Sequence, residues 1–311
     1  MSATKKTLSK GSLSKRGIIF MEKKKNSAYI IPICATAAAL VSVVIRLLLS
    51  MSSLDVSYGV YKRGTVLPTV YHILLALICA AFIIPPVISK LLKKDASATL
   101  VDPKKGDLTI FTSCVSAFLI AAVLLTKLYD VLVGHQSIDK YGVFTIVFGI
   151  PSIIFFLALL KNGVGHTPLL AFLSLFPTAF MATDLINVYF DKTLLITSPG
   201  RTIHELALLS GMLYFLNESR FLLEKPSAPL FYAFAPVASV MMLSASVPEL
   251  ILPGTLLIGD SDSYILRAAE AAIALFILAR LWSAAKTPVT ADTAQEITEK
   301  KEAPVSESTE K

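Results

Sequence analysis

The chain has 311 residues, of which 54% are hydrophobic and 16% charged, and its mean hydropathy is +0.68. Soluble domains carry about 25% charged residues, so the composition argues against a soluble enzyme or binding domain and for a membrane protein. The formal charge of +7 does not signal nucleic acid, because the basic residues lie mainly in the N-terminal tail and in alternate loops, the pattern that orients membrane helices.

Residues 1–26 set Lys5, Lys6, Lys10, Lys15, Arg16, Lys23, Lys24 and Lys25 against one acid, Glu22. This reads as a cytoplasmic tail in contact with anionic lipid, each basic residue contributing about 1 kcal/mol near the surface. The first apolar block, 27–50, is too long for a cleaved signal core and reads as a signal-anchor helix. The second span, 65–92, carries Pro85 and Pro86 near its inner end, where missing donors and ring clashes predict a break or kink. The third and fourth spans are 107–133 and 142–160, with Pro151 near the middle of the fourth. The fifth, 168–190, opens on Pro168, which suits a first helical turn, and contains Pro177. After the Ser-Pro-Gly turn signal at 198–200 comes the sixth span, 201–223. The seventh, 229–247, contains Pro236 and is expected to stop before Pro248. The partly apolar stretch 248–262 reads as a surface loop, and 263–282 as the eighth span. The tail 284–311 is rich in Thr, Glu and Lys and is expected to be disordered.

The predicted fold class is therefore all-α: a polytopic transmembrane helix bundle over 27–283, with about eight spans and short cytoplasmic tails. The two tails and the loops around 93–106, 161 and 225 hold most of the basic residues and fall on one side, which predicts both termini inside. No internal repeat is visible, so an inverted-repeat transporter is not indicated.

Ionisable groups inside such spans are costly and mark functional candidates. Placed by helical rise, most of them gather in the outer halves. Arg46 lies in the first span, His72 in the second, and Lys127 and Asp130 in the third. Asp184 and Asn187 lie in the fifth, His204 and Glu205 open the sixth, and Arg267 and Glu270 lie in the eighth. These ten residues are the candidate ligand-binding set, an outward-facing polar pocket for a small polar or charged solute. The competing reading is a set of ion pairs that fixes helix packing, with Arg46 and Arg267 close enough to span ends to snorkel to the headgroups. In the sixth span His204, Gly211 and Glu218 recur every seven residues on one face, with Gly211 suited to close helix packing. The inner halves are otherwise nearly all apolar or small, apart from Glu218, Arg220 and Arg280.

Cys34, Cys79 and Cys114 all lie within apolar spans and are expected to be small buried hydrophobes with no disulfide framework. His204-Glu205 begins like a zinc-protease helix, but Leu208 stands where the second histidine belongs. No catalytic motif, metal motif or cofactor fingerprint is present.

The runs 186–191 (INVYFD), Ser198-Pro199 and 206–221 (LALLSGMLYFLNESRF) resemble a group of multi-pass membrane proteins of Gram-positive bacteria. The resemblance implies a bacterial plasma-membrane location and carries no activity and no catalytic residue. Three readings of function follow from the residues. One is a permease-like protein for a small polar solute. Another is a non-transporting sensor or scaffold subunit that acts through a partner protein. The third is an intramembrane enzyme without a recognisable motif. The expected partners are the lipid bilayer, anionic lipid at the N-terminal tail and a small polar solute, with no nucleic acid.

Overall fold

Hydrocarbon offers no partner to backbone N–H and C=O groups, so apolar blocks of this length satisfy them internally as helices. The computed structural model describes residues 29–55, 60–62, 64–91, 106–133, 140–160, 168–190, 199–223, 227–252 and 261–286. Its helices are α1 Ile30–Ser52, α2 Leu67–Leu91, α3 Asp107–Leu132, α4 Lys140–Ala158, α5 Pro168–Leu173, α6 Leu175–Phe190, α7 Pro199–Leu222, α8 Ala228–Ile251 and α9 Ser261–Lys286. A two-stranded antiparallel ladder, β1 Leu54–Asp55 with β2 Val60–Tyr61, follows α1 and was not expected in an all-α chain. The tail 1–26 and residues 287–311 lie outside the described residues.

Among the described residues six helical stretches are long and apolar enough to cross a membrane: Ile30–Ser52, Leu67–Ile88, Asp107–Leu132, Lys140–Ala158, Pro168–Phe190 and Pro229–Ile251. Helices α7 and α9 are as long but carry more charge.

The prolines account for most departures from the expected boundaries. Helix α2 runs through Pro85 and Pro86 to Leu91 without the expected break. The fifth span is interrupted at Ser174, three residues before Pro177. Pro177 has no N–H for the Leu173 carbonyl and its ring crowds that turn. Ser174 closes the break by donating its backbone N–H to the Leu170 carbonyl (3.0 Å) and its hydroxyl to the Ala171 carbonyl (2.7 Å). Helix α8 does not stop before Pro248 but continues to Ile251, so the first part of the expected loop 248–262 is helical. Helix α9 continues past Trp282 to Lys286, taking residues 284–286 from the expected tail.

Packing defines a closed ring of six helices. Going round it, α9 packs on α3, α3 on α4, α4 on α6, α6 on α7, α7 on α8, and α8 back on α9. Helices α1 and α2 pack against α8, α1 also touches α9, and α5 packs on α7. The outer faces of α1, α2, α3 and α4 expose Leu40, Leu48, Leu77, Phe111, Phe118, Val147 and Ile150, as a lipid-facing surface requires. By contrast α8 and α9 are almost wholly enclosed. Gly211 sits where α7 meets its neighbours: a Cβ there would lie 2.8 Å from the sulfurs of both Met181 and Met242. Methionine side chains, not the backbone of a neighbouring helix, fill the space in front of Gly211. The cysteines depart from expectation. Cys34 and Cys114 are exposed on the bundle surface and Cys79 is half-buried. A cysteine is small and apolar enough to be indifferent to facing lipid or core.

Candidate functional site

The site begins with a proline. Pro248 lies inside α8 and cannot donate a hydrogen bond to the carbonyl four residues back, that of Ser244. A buried carbonyl left this way needs another donor. Arg46 of α1 supplies it, its Nη1 donating to the Ser244 carbonyl at 2.6 Å. Arg46 is fully buried, with 0% of its surface exposed, so it does not snorkel outward but reaches into the bundle.

From Arg46 the contacts run through five helices. Arg46 Nη2 lies 3.5 Å from Glu249 Oε1 on α8. The second oxygen of Glu249 lies 3.4 Å from Nε of Arg267 on α9. Arg267 Nη1 donates to Glu270 Oε1 at 2.6 Å, one turn along the same helix. The same nitrogen lies 3.4 Å from Asp184 Oδ2 on α6 and contacts the imidazole of His204 on α7. His204 Nε2 lies 3.1 Å from Asp184 Oδ2 and 3.5 Å from Glu270 Oε1. All six side chains are buried. With the imidazole counted as neutral, three carboxylates face two guanidinium groups. Arg267 is the hub, since it alone touches four of the other members.

Five of the ten candidates are thus brought together: Arg46, Asp184, His204, Arg267 and Glu270. The other five take other positions. Glu205 lies at the rim of α7 and pairs with Arg201 at 2.8 Å, while Arg201 also donates to the Tyr189 carbonyl at 2.6 Å. Asn187, one turn beyond Asp184, is exposed. His72 lies 2.6 Å through Nδ1 from the Pro68 carbonyl of its own helix and packs edge-on against Tyr71 and Tyr61. Lys127 and Asp130 are half-buried near the end of α3, where Asp130 lines a groove with Leu125, Thr126, Tyr129 and Val133. Glu249 was missed. Its signal was a lone acid in the apolar run Val247–Leu252, masked because Pro248 reads as a helix stop.

A second buried polar set lies deeper in the ring. Glu218 of α7 accepts from Arg280 Nη2 of α9 at 2.5 Å, and the Tyr214 hydroxyl donates to Glu218 at 3.4 Å. Glu218 lies fourteen positions beyond His204 on α7, about 21 Å of helix. Between the two levels the ring is filled by aromatic rings. Phe156 of α4 meets Phe276 of α9 edge-on at 5.2 Å, and Phe215 of α7 stacks on Phe276 at 6.3 Å. Phe155 and Tyr214 complete the layer against Phe215 at 6.1 and 5.2 Å. Several hydroxyls elsewhere in the bundle bond to their own helix, as where Ser246 donates to the Met242 carbonyl at 2.7 Å, while others bridge helices, as where Ser113 donates to the Phe156 carbonyl at 2.8 Å.

Asp184, His204 and Glu270 are also the one group among the described residues with metal-ligand spacing, their ligand atoms all lying within 4.8 Å of one another. No family model, curated protein or solved structure matches the chain.

Proposed function

We propose that the chain is a bacterial plasma-membrane protein of eight spans with both termini cytoplasmic. In this reading the buried cluster binds a small polar or charged solute from the outer side, in permease-like fashion. The observation that carries the reading is the stack along the ring axis. A six-residue ionisable cluster, an aromatic layer and a second ion pair follow one another along α7 and α9, the two helices common to all three. Charges in hydrocarbon are rare and usually face a bundle interior where they mark a solute or ion path.

Two observations support counting α7 and α9 as spans. On α7 the exposed Leu206, Leu209, Leu213 and Leu216 form a stripe at helical spacing, opposite the buried His204, Gly211 and Glu218. Such a helix faces lipid with leucine and the ring with polar groups, which lowers its mean hydropathy without making it a surface helix. Helix α9, 26 residues and about 39 Å long, is enclosed by its neighbours and needs no lipid-compatible face. The basic tail and loops support the inward placement of the termini.

The aromatic layer favours a second reading, a non-transporting sensor or scaffold subunit, because it closes the axis below the cluster. Purified protein in liposomes separates the two. The permease reading expects solute-dependent flux that Asp184→Asn and Glu270→Gln each abolish. Binding without flux for every solute that binds supports the module. If the two variants lower only thermal stability and leave binding intact, the cluster is a structural ion-pair network and the solute reading falls.

A further inference from the structure

The geometry points to a first-row divalent transition cation as what the triad Asp184, His204 and Glu270 takes, with Arg267 standing in its place in the structure. The assignment rests on reading the cluster as a binding site. His204 Nε2 lies 3.1 Å from Asp184 Oδ2 and 3.5 Å from Glu270 Oε1. An ion held at about 2.0–2.2 Å by each ligand needs neighbouring ligand atoms about 3–3.5 Å apart. The three donors come from α6, α7 and α9, so the ring packing brings them together, not one flexible loop.

The donor set selects the class of ion. Calcium and magnesium take all-oxygen shells, and an imidazole nitrogen is foreign to them. Two carboxylates with one imidazole suit manganese, iron or zinc. Two carboxylates also match the charge of a divalent ion.

Arg267 Nη1 already touches all three ligands, at 2.6 Å from Glu270, 3.4 Å from Asp184 and in contact with His204. It is the cation that holds the triad together when no metal is bound. It also has somewhere to go. Its Nε lies 3.4 Å from Glu249 Oε2, a carboxylate outside the triad that Arg46 shares from its other oxygen. Withdrawal of the guanidinium toward Glu249 leaves it paired and frees the three ligands. No covalent or redox step is involved.

The test uses the full chain in lipid nanodiscs, stripped with chelator and titrated with Mn²⁺ alone, free ion being read by electron paramagnetic resonance. The wild type is expected to take one Mn²⁺ per chain, displaced by Zn²⁺ and not by equal Ca²⁺, with a Tm rise of about 5 °C at saturation. His204→Gln is expected to weaken binding about tenfold or more. Arg267→Met is expected to tighten it about tenfold, because the resident cation is gone. A purely structural ion-pair network predicts the opposite, a variant that binds no metal. Absence of Mn²⁺ uptake by wild type and Arg267→Met, both monodisperse and helical, overturns the assignment. So does equal affinity in wild type and His204→Gln, which would place the ion elsewhere. Should Arg267→Met fail to fold, the wild-type and His204→Gln titrations decide alone. None of these failures removes the solute-site reading, which is judged separately by flux and by Asp184→Asn.

Discussion

Arg267→Met, assayed without metal, is expected to lose about 3–5 kcal/mol of stability, the largest effect of any single substitution in the cluster. Removing this guanidinium strands Glu270, Asp184 and one oxygen of Glu249 in a buried site that retains only Arg46 as a fixed positive charge. The cost is the desolvation of carboxylates with no counter-charge, not the loss of one contact. Arg220→Met is the control. Arg220 is exposed near the end of α7, so the same change there is expected to stay within about 0.5 kcal/mol. Unfolding in mixed detergent and SDS micelles, followed by circular dichroism, compares the two. Equal stability of the two variants would mean that Arg267 does not hold the cluster together.

Phe215→Ala is expected to cost about 3–5 kcal/mol, and its second consequence is functional. Phe215 is fully buried and touches Phe155, Phe156, Tyr214 and Phe276, so its removal opens a void in the middle of the ring. The void lies between the outer cluster and the Glu218–Arg280 pair. If the ring axis is a path, liposomes containing this variant should leak small ions that wild-type liposomes retain. Phe118→Ala serves as comparison, since that phenylalanine is 72% exposed on the outside of α3 and borders no part of the axis. A tight Phe215→Ala liposome, with the protein folded, would favour the sensor or scaffold reading.

Much of the fold was legible because its cause is local. An apolar run of about 20 residues has one good solution in a bilayer, and the expected apolar segments coincide with observed helices to within a few residues, the fifth being split at Ser174, while six stretches among the described residues are long and apolar enough to cross a membrane. That Arg46, Asp184, His204, Arg267 and Glu270 lie at one level of the bundle was legible for a related reason, since helical rise converts sequence position into height along each helix. Direction round the helix was not. Asp184 and Asn187 are one turn apart and look equivalent in sequence, yet one is buried in the cluster and the other exposed. His204 and Glu205 are adjacent, yet one is in the cluster and the other pairs with Arg201 at the rim. Facing is decided by which helices close the ring, and that is a property of the whole chain.

Pro248 is the most instructive residue that local reasoning misplaced. Proline in a helix interior is unfavourable by about 3 kcal/mol, so a boundary there was the natural expectation. The cost falls when a neighbour satisfies the freed carbonyl, and Arg46 from a distant helix does so. The extra turn then carries Glu249 to the point where it links the two arginines. A single misplaced boundary therefore hid both the acceptor for Arg46 and the missing carboxylate.

Six ionisable side chains form one interacting network inside the ring. A double-mutant cycle on Asp184→Asn and Arg267→Met measures this most directly, because the two residues sit on helices that are not neighbours in the ring and 83 positions apart in sequence. A network predicts a double variant less destabilised than the sum of the singles, with a coupling energy of at least about 1.5 kcal/mol. Additivity to within about 0.5 kcal/mol would show that the two groups do not meet, and the cluster would dissolve into separate charges.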